Sequence, residues 1–224
     1  GNYDDAFNYY YDVILKPFSS FFLTAIHKIR PLAIEMICPG HGPILRENWK
    51  RIVDLSEQYS KDYVANYPIS NRILVAYVSA YGFTKIVAEK ITEGLKKHPE
   101  IEVELCDIEK MSHAELAEKI AKANAYLFGS PTINQNTLPH MFTCMSMINP
   151  IRDKGKLVGC FGSFGWTGET KDILISNFNA LKLHYIGEAM FVKFKPQEKD
   201  FEEFISYGKH FGEQFIEKNN CRLS

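Results

Sequence analysis

The chain has 224 residues, of which 46% are hydrophobic and 24% charged, with a formal net charge of −1. This length allows one large domain or two small ones with a sizeable core. The near-neutral charge argues against electrostatic binding to nucleic acid or to an anionic membrane, and no apolar run reaches the length of a bilayer span. We therefore expect neither nucleic acid nor a membrane as a partner.

The first part of the chain is predicted to be mostly helical. Apolar residues at helical spacing in 4–29 predict two short helices, one on each side of "KPFSS", because Pro17 interrupts the pattern. "LAIEMIC", residues 32–38, predicts a buried strand that ends in the turn "PGHGPI". A third helix is predicted at 49–64, and "NYPISNR", residues 66–72, is predicted to be a linker.

After this linker, short apolar runs alternate with helical patterns. Such alternation is typical of βαβ units, whose parallel sheet is covered on both faces. Right-handed crossovers then favour an α/β domain at residues 73–224 with a doubly wound, five-stranded parallel sheet. The predicted strands are residues 73–78, 101–106, 125–129, 157–161 and 186–194. The predicted helices are residues 84–97, 113–122, 137–147, 169–181 and 198–218.

Five cysteines are spread along the chain, and no two of them form a C-x-x-C pair. Several end or interrupt apolar runs, where buried thiols are usual. We therefore expect inert core thiols and a reducing, cytoplasmic compartment. The cysteines are Cys38, Cys106, Cys144, Cys160 and Cys221.

Three polar loops follow the first, third and fourth predicted strands of the sheet. They are "SAYGFT" (79–84), "GSPTINQNTLP" (129–139) and "GSFGWTG" (162–168). Ligands of doubly wound sheets bind beyond the carboxyl ends of the strands. The three loops are therefore predicted to line one site.

The first loop leads into a helix and is a candidate anion site. Its backbone N–H groups, the hydroxyls of Ser79 and Thr84, and the positive end of the helix dipole would hold a phosphate without Lys or Arg. The loop matches neither G-x-x-x-x-G-K-[ST] nor G-x-G-x-x-G. The alternative interpretation is a Ser/Thr-rich N-cap with no ligand.

The third loop places Trp166 among glycines. A flat ring beside a phosphate site indicates stacking on a planar ligand, and the alternative is that Trp166 covers the core. In the second loop, Pro131, Thr132 and residues 134–137 would supply hydrogen bonds to a polar ring edge. Together the loops predict a phosphorylated planar aromatic ligand.

In this order and spacing, the three loops resemble the FMN-binding loops of flavodoxin-like domains, above all those of the flavodiiron proteins, or A-type flavoproteins. The resemblance covers residues 72 to about 220 and implies FMN as the cofactor. Phe83 stands where that family usually has Asn or Ser, so we expect one side-chain bond to the phosphate to be missing. By position, the phosphate would be held by Ser79, Ala80, Tyr81, Gly82, Phe83 and Thr84. The isoalloxazine would be surrounded by Pro131, Thr132, Ile133, Asn134, Ser163, Phe164, Gly165, Trp166 and Gly168.

"ICPGHGPI" places His41 in a tight turn, where a lone histidine is usually structural or exposed to solvent. In flavodiiron proteins a metallo-β-lactamase-like domain precedes the flavodoxin domain, and its last iron-binding histidine lies in such a turn. The resemblance thus implies that residues 1–65 are the C-terminal part of that domain and that His41 is one iron ligand. No H-x-[HE]-x-D-H cluster is present, and Asp5 lies too near His41 in sequence to be the bridging aspartate. We expect FMN but no di-iron centre in this chain alone.

The resemblance implies a function in electron transfer. FMN would take electrons from a rubredoxin-like donor or a flavin reductase and pass them to a di-iron site that reduces oxygen or nitric oxide. The family also implies a head-to-tail homodimer. A stand-alone electron carrier and a flavin-free interaction domain remain as alternatives. Bound FMN would exclude the interaction domain, and only the upstream sequence separates the other two functions.

Overall fold

The computed structural model describes residues 3–66 and 71–223. The chain divides into two compact units, Gly1–Pro68 and Ile69–Ser224, which are called the first unit and the second unit below. Most of the predicted linker, residues 67–70, lies outside the described residues.

Helices make up most of the first unit. Its α-helices are α1 (Tyr3–Tyr10), α2 (Ser19–Ile29) and α3 (Trp49–Asn66). A π turn and a 3-10 turn join α1 to α2, and Pro17 lies at the start of the 3-10 turn, where no helical hydrogen bond needs its missing N–H. The buried hydroxyl of Tyr11 donates to Ser60 Oγ at 3.2 Å. The two helices predicted around "KPFSS" are confirmed.

The buried strand predicted at residues 32–38 is wrong. Within this stretch only Ile37 forms a β-bridge, antiparallel to Leu45. Leu32 is 60% exposed, and Cys38 is exposed as well, so the prediction of a core thiol at that position is also wrong. A strand can be buried only when neighbouring strands satisfy its backbone groups, and the described residues of the first unit offer this stretch a single bridge. The one strand predicted in the first part of the chain is thus reduced to that bridge.

A five-stranded parallel sheet forms the centre of the second unit. Its strands are β1 (Arg72–Tyr77), β2 (Glu102–Asp107), β3 (Ala125–Gly129), β6 (Leu157–Phe164) and β7 (His184–Lys193), and β4 (Thr132–Ile133) with β5 (Asn136–Thr137) forms a separate hairpin. The strand order is β2-β1-β3-β6-β7, with all pairs parallel. The apolar residues of β1 and β3 are buried because both faces of the sheet are covered. The predicted doubly wound sheet is confirmed, and its order is that of flavodoxin-like folds.

Five helices cover the sheet. They are α4 (Phe83–Leu95), α5 (His113–Lys122), α6 (Pro139–Ser146), α7 (Thr170–Ala180) and α8 (Phe201–Leu223). Apolar residues of α5, α6 and α7 share one core cluster, while those of α4 and α8 share the other. Helix α6 begins two residues later than predicted, because the β4–β5 hairpin occupies the preceding residues. Within the described residues, no helix combines the length and apolar character needed to cross a bilayer.

Helices α4 and α8 pack backbone against backbone at two glycines. A Cβ atom at Gly94 would lie 2.0 Å from the carbonyl oxygen of Ile205, and one at Gly208 would lie 2.1 Å from that of Ile91. Only glycine allows so close an approach. Because α4 begins at the first polar loop, this contact fixes the helix that carries the loop.

Candidate functional site

A cleft of about 540 Å³ lies beyond the carboxyl ends of β1, β3, β6 and β7. This volume falls within the range of small-molecule sites, and five of the lining residues are aromatic. The three predicted loops therefore meet at one place. The lining residues are Tyr81, Phe83, Pro131, Thr132, Ile133, Asn134, Gln135, Ser163, Phe164, Gly165, Trp166, Thr167 and Phe194.

The first loop turns directly into α4. Gly82 is the N-cap residue and has φ +80°, a left-handed conformation that glycine adopts without strain. The hydroxyl of Ser79 accepts the backbone N–H of Lys85 at 3.3 Å. First-turn N–H groups have no acceptor within their own helix, so the amides of Phe83 and Thr84 can bind an anion at the positive end of the dipole.

The side chains of this loop divide between the cleft and the core. Tyr81, which is 75% exposed, and Phe83 bring their ring centroids to 6.2 Å from each other at the cleft. Thr84 is only 1% exposed, and its hydroxyl lies 3.0 Å from that of Ser163. The loop therefore offers aromatic surface to a ligand and keeps its threonine hydroxyl inside.

The second loop contains the β4–β5 hairpin. Its turn residues, Asn134 and Gln135, have φ +53° and +59°, as a type I′ turn requires. The hydroxyl of Thr170 donates to the carbonyl oxygen of Pro131 at 3.2 Å, and the N–H of Thr170 donates to Thr132 Oγ1 at 3.4 Å. These bonds hold the hairpin against the first residue of α7, with the turn at the cleft.

The third loop begins later than predicted, because β6 continues through Phe164. Trp166 is 90% exposed and so does not cover the core. Its indole makes an edge-to-face contact with Phe194, with ring centroids 6.4 Å apart and an interplanar angle of 82°. An exposed indole at the rim of an apolar cleft is suited to stacking on a flat ligand.

Two lining residues, Thr167 and Phe194, were not predicted, whereas Gln135 lies in the predicted range 134–137. Thr167 lies inside the third loop, between the predicted residues Trp166 and Gly168. Phe194 follows β7. It could have been predicted, because β7 is a fifth parallel strand whose carboxyl end lies at the same edge of the sheet as the three loops. Seven predicted residues do not line the cleft: Ser79, Ala80, Gly82, Thr84, Asn136, Thr137 and Gly168.

His41 is exposed, and its ring centroid lies 6.3 Å from that of Tyr10. Throughout the described ranges, no three or more His, Cys, Asp or Glu side chains are grouped so as to hold a metal ion. The role of His41 as an iron ligand stays a prediction.

Comparison with known proteins places these features in a family. The flavodoxin family model matches residues 75–208, more than half of the chain. The flavo-diiron protein FprA2 of Clostridium acetobutylicum is 31% identical over 211 residues, which cover 93% of this chain and 52% of that protein. The structure of rubredoxin oxygen:oxidoreductase from Desulfovibrio gigas is 27% identical with a TM-score of 0.70, covering 93% of this chain and 52% of that one. A flavodoxin from the domain Archaea is 27% identical with a TM-score of 0.56, covering 65% of this chain and 99% of that one.

The chain spans about half the length of the curated relatives it matches. The likeness to flavodiiron proteins that the loops predicted is confirmed over nearly the whole chain. The family match includes every residue that lines the cleft. On this match and on the order of its strands, the chain belongs to the flavodoxin family.

Proposed function

We propose that the second unit binds FMN in the cleft and transfers electrons as the flavin module of a flavodiiron-type oxidoreductase. The observation that carries the proposal is the meeting of three loops at one aromatic cleft, beside the N-terminus of α4. FMN, when bound, supplies both one-electron and two-electron redox chemistry.

The residues present fit this cofactor. The phosphate would be held by the amides of Phe83 and Thr84, next to the left-handed Gly82, with no cation required. Trp166 would stack on the isoalloxazine, and the polar groups of Thr132 and Asn134 would meet its edge. The aromatic lining would cover part of the ring, and hydrogen bonds made on the covered side would be strengthened by the lower local dielectric.

The wider protein is part of the proposal. Residues 1–65 would be the C-terminal part of a metallo-β-lactamase-like domain, with His41 as one ligand of a di-iron site mostly outside this chain. Electrons would come from a rubredoxin-like donor or a flavin reductase and reduce oxygen or nitric oxide. A head-to-tail homodimer would bring one subunit's flavin to the other's iron. The name of FprA2, a flavo-diiron protein, supports the di-iron site, and that of the Desulfovibrio gigas rubredoxin oxygen:oxidoreductase supports a rubredoxin-like donor and oxygen.

The compartment that we propose is the reducing cytoplasm. The three cysteines of the second unit whose side chains are described, Cys106, Cys144 and Cys160, are buried and unpaired. Unpaired thiols are usual in proteins kept under reducing conditions.

A second candidate is a stand-alone electron carrier with no catalysis of its own. The nearly complete coverage of the archaeal flavodoxin supports it, since the second unit alone has the extent of such a carrier. The two candidates share the cofactor and differ in what accepts the electrons.

Two measurements test the proposal. The first is to extract the chromophore of the purified chain and identify it by chromatography, with FMN expected and a chain that stays colourless after incubation with FMN contradicting both candidates. The second is metal analysis with oxygen uptake of the chemically reduced, FMN-loaded chain. Both candidates predict that this chain alone contains no stoichiometric iron and reacts slowly with oxygen to give hydrogen peroxide, so catalase lowers the net uptake. Two irons per chain and uptake that catalase leaves unchanged would show a complete reductase site in this chain.

A further inference from the structure

Phe194, directly after β7, has an unusual backbone conformation for its residue type. Its φ is +62°, in the left-handed region where a bulky aromatic residue is a genuine outlier. Its N–H donates to the carbonyl oxygen of Phe164 at 2.7 Å, which extends the β6–β7 pairing by one residue. This pairing holds the strained conformation in place, and such strain persists where the ring is needed at that position.

The ring of Phe194 does little for the core. It is 53% exposed, and it lines the cleft. Its partner is Trp166, in the edge-to-face contact described above. The ammonium group of Lys193 lies 5.5 Å from the Phe194 ring centroid. A half-exposed ring on a strained backbone therefore contributes mainly at the cleft.

The contact matters because Trp166 has so few others. A side chain that is 90% exposed is free to adopt several rotamers, and each rotamer that turns the indole away from the cleft lowers the affinity for a flat ligand. An edge-to-face contact occupies one part of the indole and leaves a broad face open.

We propose that Phe194 is a positioning residue, which holds the indole of Trp166 so that its open face receives the planar ring of the ligand. The proposal rests on FMN as the occupant of the cleft. Under this proposal the strained turn after β7 contributes to ligand binding through Trp166. The fold itself does not require the strained conformation.

The test compares FMN affinity with stability in matched variants. Phe194→Gly removes the ring and relieves the left-handed strain, so the dissociation constant of FMN should rise about tenfold, while the unfolding midpoint of the flavin-free chain stays level or rises by roughly 2 °C. Lys182→Gly is the control, because Lys182 also has a left-handed φ, +58°, and does not line the cleft. It should change the midpoint in the same way and leave FMN affinity unaltered. Phe194→Leu keeps the strain and the apolar bulk but loses the flat edge, and should weaken FMN binding several-fold.

A further readout follows the indole itself. In a Trp49→Phe background, Trp166 is the single tryptophan, and its fluorescence anisotropy should fall in Phe194→Gly and not in Lys182→Gly. An FMN dissociation constant within twofold of the unsubstituted chain would overturn the proposal. So would weaker binding that comes with a lowered unfolding midpoint, because that pattern reports a folding defect. If the unsubstituted chain itself fails to bind FMN, the proposed function is overturned, and this inference with it.

Discussion

The hydroxyls of Thr84 and Ser163 lie 3.0 Å apart, although the two residues belong to different loops of the cleft. Both side chains are buried, at 1% and 4% exposure. Breaking a hydrogen bond between two buried hydroxyls is costly for stability, because the remaining hydroxyl is then buried without that partner. The pair joins the first loop to the end of β6.

Thr84→Val should weaken FMN binding more than riboflavin binding. Valine keeps the shape of threonine and removes the hydroxyl that ties the first loop to Ser163. The amides of Phe83 and Thr84, which we propose to hold the phosphate, would then be less firmly placed, and riboflavin has no phosphate to be affected. The substitution should also destabilise the flavin-free chain by about 1–2 kcal/mol, because Ser163 loses its buried partner. Titration with both ligands measures the difference, and Ser163→Ala breaks the same pair from the other side. Equal losses for FMN and riboflavin would show that the pair does not act on the phosphate end of the ligand.

Trp166→Ala should weaken FMN binding by about 1–3 kcal/mol, the range for a base stacked on an aromatic side chain. The unfolding midpoint should hardly change, since the indole is almost fully exposed. Phe142→Ala is a suitable control, because Phe142 is an exposed aromatic residue that does not line the cleft. Unchanged FMN affinity in Trp166→Ala would remove stacking from the description of the site.

Asp153 should make the stability of the second unit depend on pH in the acid range. It is fully buried and paired with Arg152 and Lys156 at 2.7 and 2.8 Å. Burial alone would raise the pKa of Asp153, but the hydrogen bond and charge of Arg152, with the charge of Lys156, outweigh it and hold the pKa below its usual 3.8. A depressed folded-state pKa gives stability that is complete above the unfolded value and is lost as the pH falls below about 3.8.

The matching variant is Asp153→Asn. It should lower the free energy of unfolding by about 3–5 kcal/mol near neutral pH, because it removes the buried charge that pairs with both Arg152 and Lys156. Urea unfolding at several pH values measures this loss. The difference between variant and unsubstituted chain should shrink below pH 3.8, and a difference that stays constant with pH would contradict the assignment.

The buried thiols should resist alkylation in the folded chain. Burial raises the pKa of Cys106 to about 11 and those of Cys144 and Cys160 to about 12, so almost none of the reactive thiolate is present at pH 8. Cys38 is exposed and should react first. Iodoacetamide labelling followed by peptide mass spectrometry resolves each position. Labelling of Cys144 as fast as Cys38 without denaturant would contradict the buried assignment.

The sheet was predictable because its signal is local. The apolar run at 73–78 predicts a buried strand, and four further short apolar runs follow it with a helical pattern between each pair. "LAIEMIC" carries the same local signal, yet Ile37 finds one bridging partner and Leu32 faces solvent. Whether such a run becomes a strand depends on partners elsewhere, which the run itself does not encode.

Some features of the site could also be predicted from local sequence, and others could not. The glycines around Trp166 predicted that this residue lies in a loop, and its side chain is 90% exposed there. The inward turn of Thr84 toward Ser163 could not be predicted, because it depends on how two strands bring distant residues together. Nor does any local pattern give Phe194 a φ of +62°, which results from its pairing with Phe164.

Because α4 and α8 are in close contact at two glycines, binding of a ligand at the start of α4 should be detectable in α8. With Gly94 against Ile205 and Gly208 against Ile91, the two helices cannot separate without exposing both backbones. An anion that steadies the first turn of α4 should therefore slow amide hydrogen exchange in α8, a helix that contributes no residue to the cleft. Slower exchange in α8 would therefore show that the anion site at the N-terminus of α4 is occupied.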